Sequence, residues 1–194
     1  MSRIRQQEKA KLSREKLMAA ADELFARQKI SEVGVRDIAA RAGVTTGTFY
    51  HYFTGKDDIL DQIYRSRDAD MGGMLHDLAQ DTDSYCMKIQ SFFVDKLAGT
   101  VLADGREFTC YRVFRMRKHS SDENSLCIGM QELIRKAINA GEFRGDVSAK
   151  EINDYLFVVF RGVLYEWCLC AADQAFSLAE RMERLIGYAL KSFE

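Results

Sequence analysis

The fold of this chain is decided by residues 35–53, which read VRDIAARAGVTTGTFYHYF. Apolar residues recur there at helical spacing, as at Ile38 and Ala42, and the run stops at Gly43. Glycine is the residue that most easily adopts the left-handed conformation that follows a helix. Thr45 can then cap a second short helix. Because a short turn with a glycine lets two such helices cross steeply, the stretch predicts a helix-turn-helix.

The second helix of this motif, residues 45–52, is predicted to read DNA. Phe49 and Phe53 would anchor its inner face, while Thr46 and His51 lie on the opposite face, which can enter the major groove. Base-edge contacts specify a DNA site, whereas phosphate contacts position the protein. The base readers are predicted to be Thr46, Gly47, Thr48 and His51. The phosphate contacts are predicted at Arg36, Tyr50 and Lys56, with Thr45 at the helix cap.

The charge distribution agrees with this prediction. The net charge of −1 hides an asymmetry, since residues 1–56 carry 11 Lys or Arg and 6 Asp or Glu, a net of +5. The remaining residues carry 17 and 23, a net of −6. A basic head on an acidic body is expected when one end meets a polyanion, and chance segregation of solvated charges is the alternative. The amino-terminal arm fits either further DNA contacts or a disordered tail, and its basic residues are Arg3, Arg5, Lys9 and Lys11.

Helical periodicity extends over the rest of the chain. The sequence has no proline and no alternating strand-like run, which predicts an all-α fold of about nine helices. The first helix is predicted to begin at a cap on Ser13 and to end near Gln28. We expect residues 1–56 to form a helix-turn-helix DNA-binding domain. Residues 57–194 are then expected to form an effector-binding and dimerisation domain.

The composition argues against several classes of protein. No apolar run approaches the ~18 residues of a membrane span, and no secretion signal is apparent, so a cytoplasmic protein is expected. Five scattered cysteines do not suggest a disulfide framework. Cys168 and Cys170 are two positions apart on a predicted helix and point to nearly opposite sides of it, so they cannot share a metal ion and no metal site is expected. Without a phosphate-binding loop or a paired nucleophile and base, neither a cofactor nor an enzyme activity is expected.

The stretch 13–60 resembles the amino-terminal domain of the TetR family of transcriptional regulators (TetR/AcrR type). The resemblance is carried by Ala20, Ala21, Leu24 and Phe25, and by residues 35–39 (VRDIA), 42–44 (AGV), 47–53 (GTFYHYF) and 56–60 (KDDIL). It implies a homodimeric repressor that binds a near-palindromic operator and is released by a small-molecule effector. Two positions depart from the family pattern. Lys29 replaces the usual glycine in an expected left-handed turn, and Gly34 replaces the threonine that usually caps the second helix.

The body has no comparably specific motif. An effector pocket is predicted among aromatic and sulfur-bearing residues, with plain core packing as the alternative: Phe92, Phe93, Tyr111, Phe114, Met130 and Trp167. The resemblance implies that the two closing helices form a dimer interface, with monomer core as the alternative: Phe157, Phe160, Leu164, Met182, Leu185, Ile186 and Ala189. A basic cluster is interpreted as a solvated helix face, with a site for an acidic effector or for a second stretch of nucleic acid as the alternatives: Arg112, Arg115, Arg117, Lys118 and His119.

Two other functions are alternatives to repression. The chain would be a small-molecule sensory or binding protein if its helix-turn-helix had lost specific DNA binding, and the net charge of +5 on residues 1–56 argues against this. It would be an enzyme on an all-α scaffold only if a cleft with paired polar groups existed.

Overall fold

The computed structural model describes residues 2–78, 84–115, 125–171, 174 and 176–194. Within these ranges the chain is helical and forms no strand. The helices are α1 (Ser2–Arg27), α2 (Val35–Arg41), α3 (Thr46–Tyr52), α4 (Lys56–Leu78), α5 (Tyr85–Ser91), a π-helical segment (Phe92–Ala98), α6 (Gly99–Asp104), α7 (Arg106–Arg115), α8 (Ser125–Asn139), α9 (Ala149–Leu169) and α10 (Leu178–Lys191). Residues 85–104 are helical without a break, so the described ranges hold nine separate helical stretches. The all-α prediction is confirmed.

The chain divides into two compact units, residues 1–67 and 68–194. Helix α4 begins in the first unit and ends in the second. The division therefore falls within α4, later than the boundary predicted after Lys56. The reason is that Ile59, Leu60 and Ile63 on the first turns of α4 are buried apolar residues of the first unit.

Helix α1 starts earlier than the sequence analysis predicts. It begins at Ser2, so Ser13 lies inside the helix and the prediction of a cap there is wrong. Residues 2–12 contain no glycine or proline and are rich in Arg, Gln, Glu and Lys, which favour helix. The basic residues of the amino-terminal arm accordingly belong to α1, and the alternative of a disordered tail is wrong.

The turn after α1 also differs from expectation. The described residues with positive φ are all glycines, so the prediction of a left-handed Lys29 is wrong. Instead, the carbonyl oxygen of Lys29 accepts hydrogen bonds from the N–H groups of Glu32 and Val33, which closes the turn. Gly34 does cap α2, and its N–H donates to the Asp37 carboxylate at 2.8 Å, which is the half of a capping box that needs no side chain at the cap position.

The second unit has one large apolar core. Residues from α5 to α10 and Leu75 of α4 contribute to it, and its largest fully buried side chains include Phe92, Phe93 and Met130. Ser148 and Glu151 form the predicted capping box at the start of α9, with the Ser148 N–H donating to Glu151 at 3.0 Å. Arg117, Lys118 and His119 lie outside the described residues. None of the described helices is long and apolar enough to span a membrane.

The two adjacent glycines of α4 have different surroundings. A Cβ atom on Gly72 would lie 2.9 Å from backbone atoms of Ser125, whereas a Cβ on Gly73 would meet nothing within 4 Å. Gly72 therefore permits the close approach of α4 to the start of α8, and α4 continues as helix through both residues. The contact explains why one of these glycines is present and gives no reason for the other.

Glu142 caps helix α5 from a distant part of the sequence. Its carboxylate accepts hydrogen bonds from the hydroxyl of Ser84 at 2.7 Å and from the N–H groups of Tyr85 at 3.0 Å and Cys86 at 2.9 Å. Burial raises the pKa of the Glu142 carboxyl, but these hydrogen bonds and the nearby Lys88 charge outweigh it, so the pKa lies below its ordinary value. The charged carboxylate thus stabilises the start of α5.

Candidate nucleic-acid interface

The turn between α2 and α3 is fixed by backbone hydrogen bonds. Gly43 has φ of +69° and its N–H donates to the carbonyl oxygen of Ala40 at 3.1 Å. The N–H of Val44 donates to Ala39 at 3.0 Å, which completes a Schellman motif. The prediction of a left-handed Gly43 is confirmed, and the motif sets the direction in which the chain leaves α2.

Thr45 caps α3 as the sequence predicts. Its hydroxyl oxygen accepts from the N–H of Thr48 at 3.1 Å and also lies 3.0 Å from the Thr48 hydroxyl. The Thr48 side chain is half-buried and its hydroxyl is engaged in the cap. A contact of Thr48 with DNA therefore stays a prediction that rests on its methyl group.

The other residues of α3 that are predicted to contact DNA share one exposed face. Thr46, Gly47, Tyr50 and His51 are exposed, with 60% of Tyr50 accessible to solvent, while Phe49 is completely buried. The Tyr50 ring packs edge-on against Phe49 at 5.5 Å between centroids, which restricts its orientation. A Cβ on Gly47 would make only an ordinary 3.6 Å contact, so nothing within the chain requires a glycine there. This face is accordingly free to approach a partner's backbone closely.

The two predicted basic phosphate contacts have different environments. Arg36 is exposed at the start of α2. Lys56 is half-buried, and its ammonium group donates to the carbonyl oxygens of Ile30 at 2.5 Å and Val33 at 3.1 Å. Lys56 thus ties the start of α4 to the turn after α1, a role that sequence reasoning missed. No local pattern pointed to it, because the partners are carbonyl groups that every residue carries.

Ion pairs hold α1 to the other helices of the first unit. Arg41 of α2 binds both carboxylate oxygens of Glu23 at 2.5 Å, and this hydrogen bonding lowers the pKa of Glu23 while burial acts in the opposite direction. Arg67 pairs with Asp22 at 2.5 Å. These contacts fix the frame from which α3 projects, and sequence periodicity does not reveal them.

The geometry agrees with a known family. A model described as "Bacterial regulatory proteins, tetR family" matches residues 17–63, which hold the buried part of α1, the whole helix-turn-helix and the start of α4. Residues 17–63 therefore match the amino-terminal domain of TetR-family regulators. The prediction made from residues 13–60 is therefore confirmed.

The likeness to TetR-family proteins extends beyond the amino-terminal unit. The HTH-type transcriptional repressor BepR of Brucella suis is 25% identical over 198 residues, which cover 93% of this chain and 91% of that protein. The solved structure of Thermus thermophilus FadR with lauroyl-CoA has a TM-score of 0.72 at 21% identity and covers 91% of this chain and 93% of that one. A structure of RolR with resorcinol has a TM-score of 0.74 at 17% identity, covering 96% and 89%. The second unit thus has the fold of these regulators.

The predicted effector-pocket residues do not form one group. Phe92, Phe93, Met130 and Trp167 are buried in the core of the second unit. Tyr111 is half-buried, whereas Phe114 is half-exposed and packs edge-on against Tyr165 at 5.7 Å between ring centroids. Four of the six residues are thus buried in the core, and a role in an effector pocket stays a prediction for all of them.

The predicted dimer residues pack within the chain itself. All but Leu185, which is half-buried, lie in the core of the second unit without a second copy. The exposed apolar side chains of α9 and α10 are different ones, namely Tyr155, Val158, Tyr165, Leu169 and Tyr188. Helical periodicity identified the apolar helices correctly, but both faces of α9 carry apolar residues, so it did not separate the inner face from the outer one.

Proposed function

We propose that this TetR-family regulator is a cytoplasmic, homodimeric repressor that binds a near-palindromic operator and is released by a small-molecule effector. The observation that carries the proposal is the face of α3 on which Thr46, Gly47, Tyr50 and His51 are all exposed to solvent. Hydroxyl, imidazole and methyl groups on such a face are suited to base edges in the major groove. BepR is named a transcriptional repressor, which supports repression over activation.

An effector site in the second unit is supported by the ligands of proteins that share its fold. FadR was solved with lauroyl-CoA and RolR with resorcinol. These ligands are chemically unlike each other, so the shared fold does not select an effector for this chain. Helix α4 belongs to both units, and we expect the effector to act through it by binding one arrangement of α4 more tightly than another.

A homodimer surface is supported by an exposed stripe on α9. Tyr155, Val158, Gly162, Tyr165 and Leu169 recur at intervals of three and four residues, and each is exposed. A Cβ on Gly162 would meet nothing within 4 Å, so the middle of the stripe allows a facing helix to come close. Closed two-fold pairing buries the same patch on both copies, and it would present two copies of α3 to successive half-sites. We propose this stripe in place of the buried residues that the family resemblance implied.

Sequence-specific binding is the first test. Fluorescence anisotropy with DNA from upstream of the gene should give an affinity at least tenfold higher than for scrambled DNA at physiological salt. Tyr50→Ala should weaken operator binding about tenfold or more, because a predicted phosphate contact that positions α3 is lost. Met87→Ala, an equally exposed residue of α5, is the matched control and should bind normally. Equal affinities for both DNAs would favour the alternative of a small-molecule sensory protein without specific DNA binding.

The dimer is tested separately by sedimentation. Val158 is 60% exposed in the single chain, so Val158→Asp should fold normally but bring two carboxylates together across a two-fold axis. We expect it to sediment as a monomer, while Met87→Asp, which makes the same change on another exposed helix, stays dimeric. A dimer that survives Val158→Asp unchanged would show that the interface lies elsewhere.

A further inference from the structure

The carboxyl end of α9 is capped by a side chain from α7. Arg106 donates one hydrogen bond from Nη2 to the carbonyl oxygen of Cys170, and its guanidinium carbon lies 5.1 Å from the centre of the Trp167 ring. One turn further along α7, the thiol of Cys110 donates to the carbonyl oxygen of Cys168 at 3.9 Å. A cation is favourable at the carboxyl end of a helix and over the face of an indole ring. Nη2 and the guanidinium plane of Arg106 therefore have favourable contacts.

The other side of the same contact contains polar atoms without partners. Among the described residues, neither Nη1 of Arg106 nor the hydroxyl of Thr109 has a hydrogen-bond partner, although both atoms are buried. Thr109 is completely buried, and it follows Arg106 by three positions, so the two side chains share one face of α7. A buried donor without a partner destabilises a protein, and such groups call for a functional or structural reason.

The charges around Arg106 favour a bound anion. Within the described residues no carboxylate forms an ion pair with Arg106. Burial, the largest influence, raises the pKa of the Cys168 thiol to about 12, while the charges of Arg106 and Arg112 act to lower it. The thiol is therefore neutral at physiological pH and does not compensate the charge of Arg106.

We propose that Arg106 and Thr109 bind the carboxylate of an aromatic acid, and that this acid is the effector. The inference rests on the proposed function and specifies its ligand. Nη1 of Arg106 donates to one carboxylate oxygen and the Thr109 hydroxyl donates to the other. Each of the two buried donors thereby gains a hydrogen-bond acceptor. The aromatic ring packs against Trp167, which lies next to Arg106 in the described arrangement.

Binding at this site requires α7 to move relative to α9, because Thr109 has no exposed surface. Gly105, immediately before α7, has φ of +83° and open space around it, so the chain can change direction there. The acid would therefore bind a displaced arrangement of α7 more tightly than the one described. That difference in affinity is what a ligand needs in order to shift a conformational equilibrium.

Trp167 is the only tryptophan of the chain and reports directly on the site. The probes are benzoate and phenylacetate, each compared with its neutral amide, benzamide and phenylacetamide. We expect at least one carboxylate to change the Trp167 fluorescence and to bind at least tenfold more tightly than its amide in calorimetry. If neither carboxylate binds at millimolar concentration, or if the amides bind equally well, the proposal is wrong.

Thr109→Val supplies the decisive variant, because it keeps the shape of the side chain and removes only the hydroxyl. We expect the Tm of the free protein to stay the same or rise, since no hydrogen bond is lost, and carboxylate binding to weaken about tenfold. Thr100→Val, whose hydroxyl donates to Lys96 at 2.8 Å on the surface, is the control and should bind normally. A fall in Tm of more than about 2 °C for Thr109→Val would mean that the hydroxyl has a structural partner. That result, or unchanged carboxylate binding, would overturn the proposal.

Arg106→Lys separates the stabilising role of Arg106 at the end of α9 from its proposed role in carboxylate binding. It keeps a cation near the end of α9 but removes the guanidinium fork, so carboxylate binding should weaken at least tenfold. These measurements use the protein without DNA, so their failure alongside specific operator binding would overturn only the ligand assignment. Carboxylate binding with the expected variant effects, but without specific DNA binding, would instead overturn the regulatory role and leave the site standing.

Discussion

Replacement of Lys56 by methionine distinguishes a structural lysine from a DNA-binding one. The Lys56 ammonium group donates to two carbonyl oxygens, at 2.5 Å and 3.1 Å, and the side chain is half-buried. A hydrogen bond to a charged group contributes about 1.5–3 kcal/mol, and partial exposure reduces this. We therefore expect Lys56→Met to lower the free energy of unfolding by about 2 kcal/mol. In a chain of this length that loss corresponds to a fall in Tm of roughly 4–8 °C.

The assay combines urea denaturation with the salt dependence of operator binding. Arg36→Met is the matched control, because Arg36 is exposed and the structure describes no partner for its side chain in the ranges it covers. The control should unfold at the same urea concentration as the parent chain and reduce the slope of log K against log salt by about 1. If Lys56→Met leaves the urea midpoint unchanged and reduces the salt slope by about 1 instead, Lys56 is a phosphate contact and our interpretation of its hydrogen bonds is wrong.

Three further substitutions test individual contacts by urea denaturation. Gly72→Ala should cost about 1–3 kcal/mol because its Cβ would lie 2.9 Å from the Ser125 backbone, whereas Gly73→Ala, in open space, should gain up to about 1 kcal/mol. The reverse order of these two would contradict the close helix contact. Thr45→Ala should cost about 1 kcal/mol and weaken operator binding, and Thr45→Ser should restore both because it keeps the capping oxygen. The pKa of Glu142 is lowered in the folded chain, so its contribution is complete above the unfolded pKa of about 4.3 and is lost as the pH falls through the folded value. Glu142→Gln should therefore destabilise the protein at pH 7 and flatten the fall of the urea midpoint toward acid pH, and an unchanged pH profile would refute the cap.

Local sequence signals were sufficient to predict the helix-turn-helix. Gly43 ends α2 and Thr45 starts α3 because each acts through its own backbone or through an atom three residues away. Such signals need no knowledge of the rest of the fold. The buried positions of Phe49 and Phe53 follow from helical spacing in the same way.

Tertiary contacts were beyond the reach of such signals. Lys56 binds carbonyl groups some distance away in the sequence, and Arg106 caps a helix that begins beyond α8. The predicted cap at Ser13 was wrong because a local signal was given too much weight. A residue that can cap a helix does not mark its start when the residues before it also favour helix. The outer stripe of α9 was missed because apolar residues on two faces of a helix give no single direction for burial.

The hydrogen bond between Thr45 and Thr48 also narrows the paths by which this regulator can evolve. With the Thr48 hydroxyl engaged in the cap, few side chains of α3 are free to recognise a DNA sequence, chiefly Thr46 and His51. One or two substitutions on so small a surface can change its DNA specificity without disturbing the Thr45 cap or the buried phenylalanines beneath it. After gene duplication, copies of such a chain would be able to acquire separate operators while keeping the same scaffold.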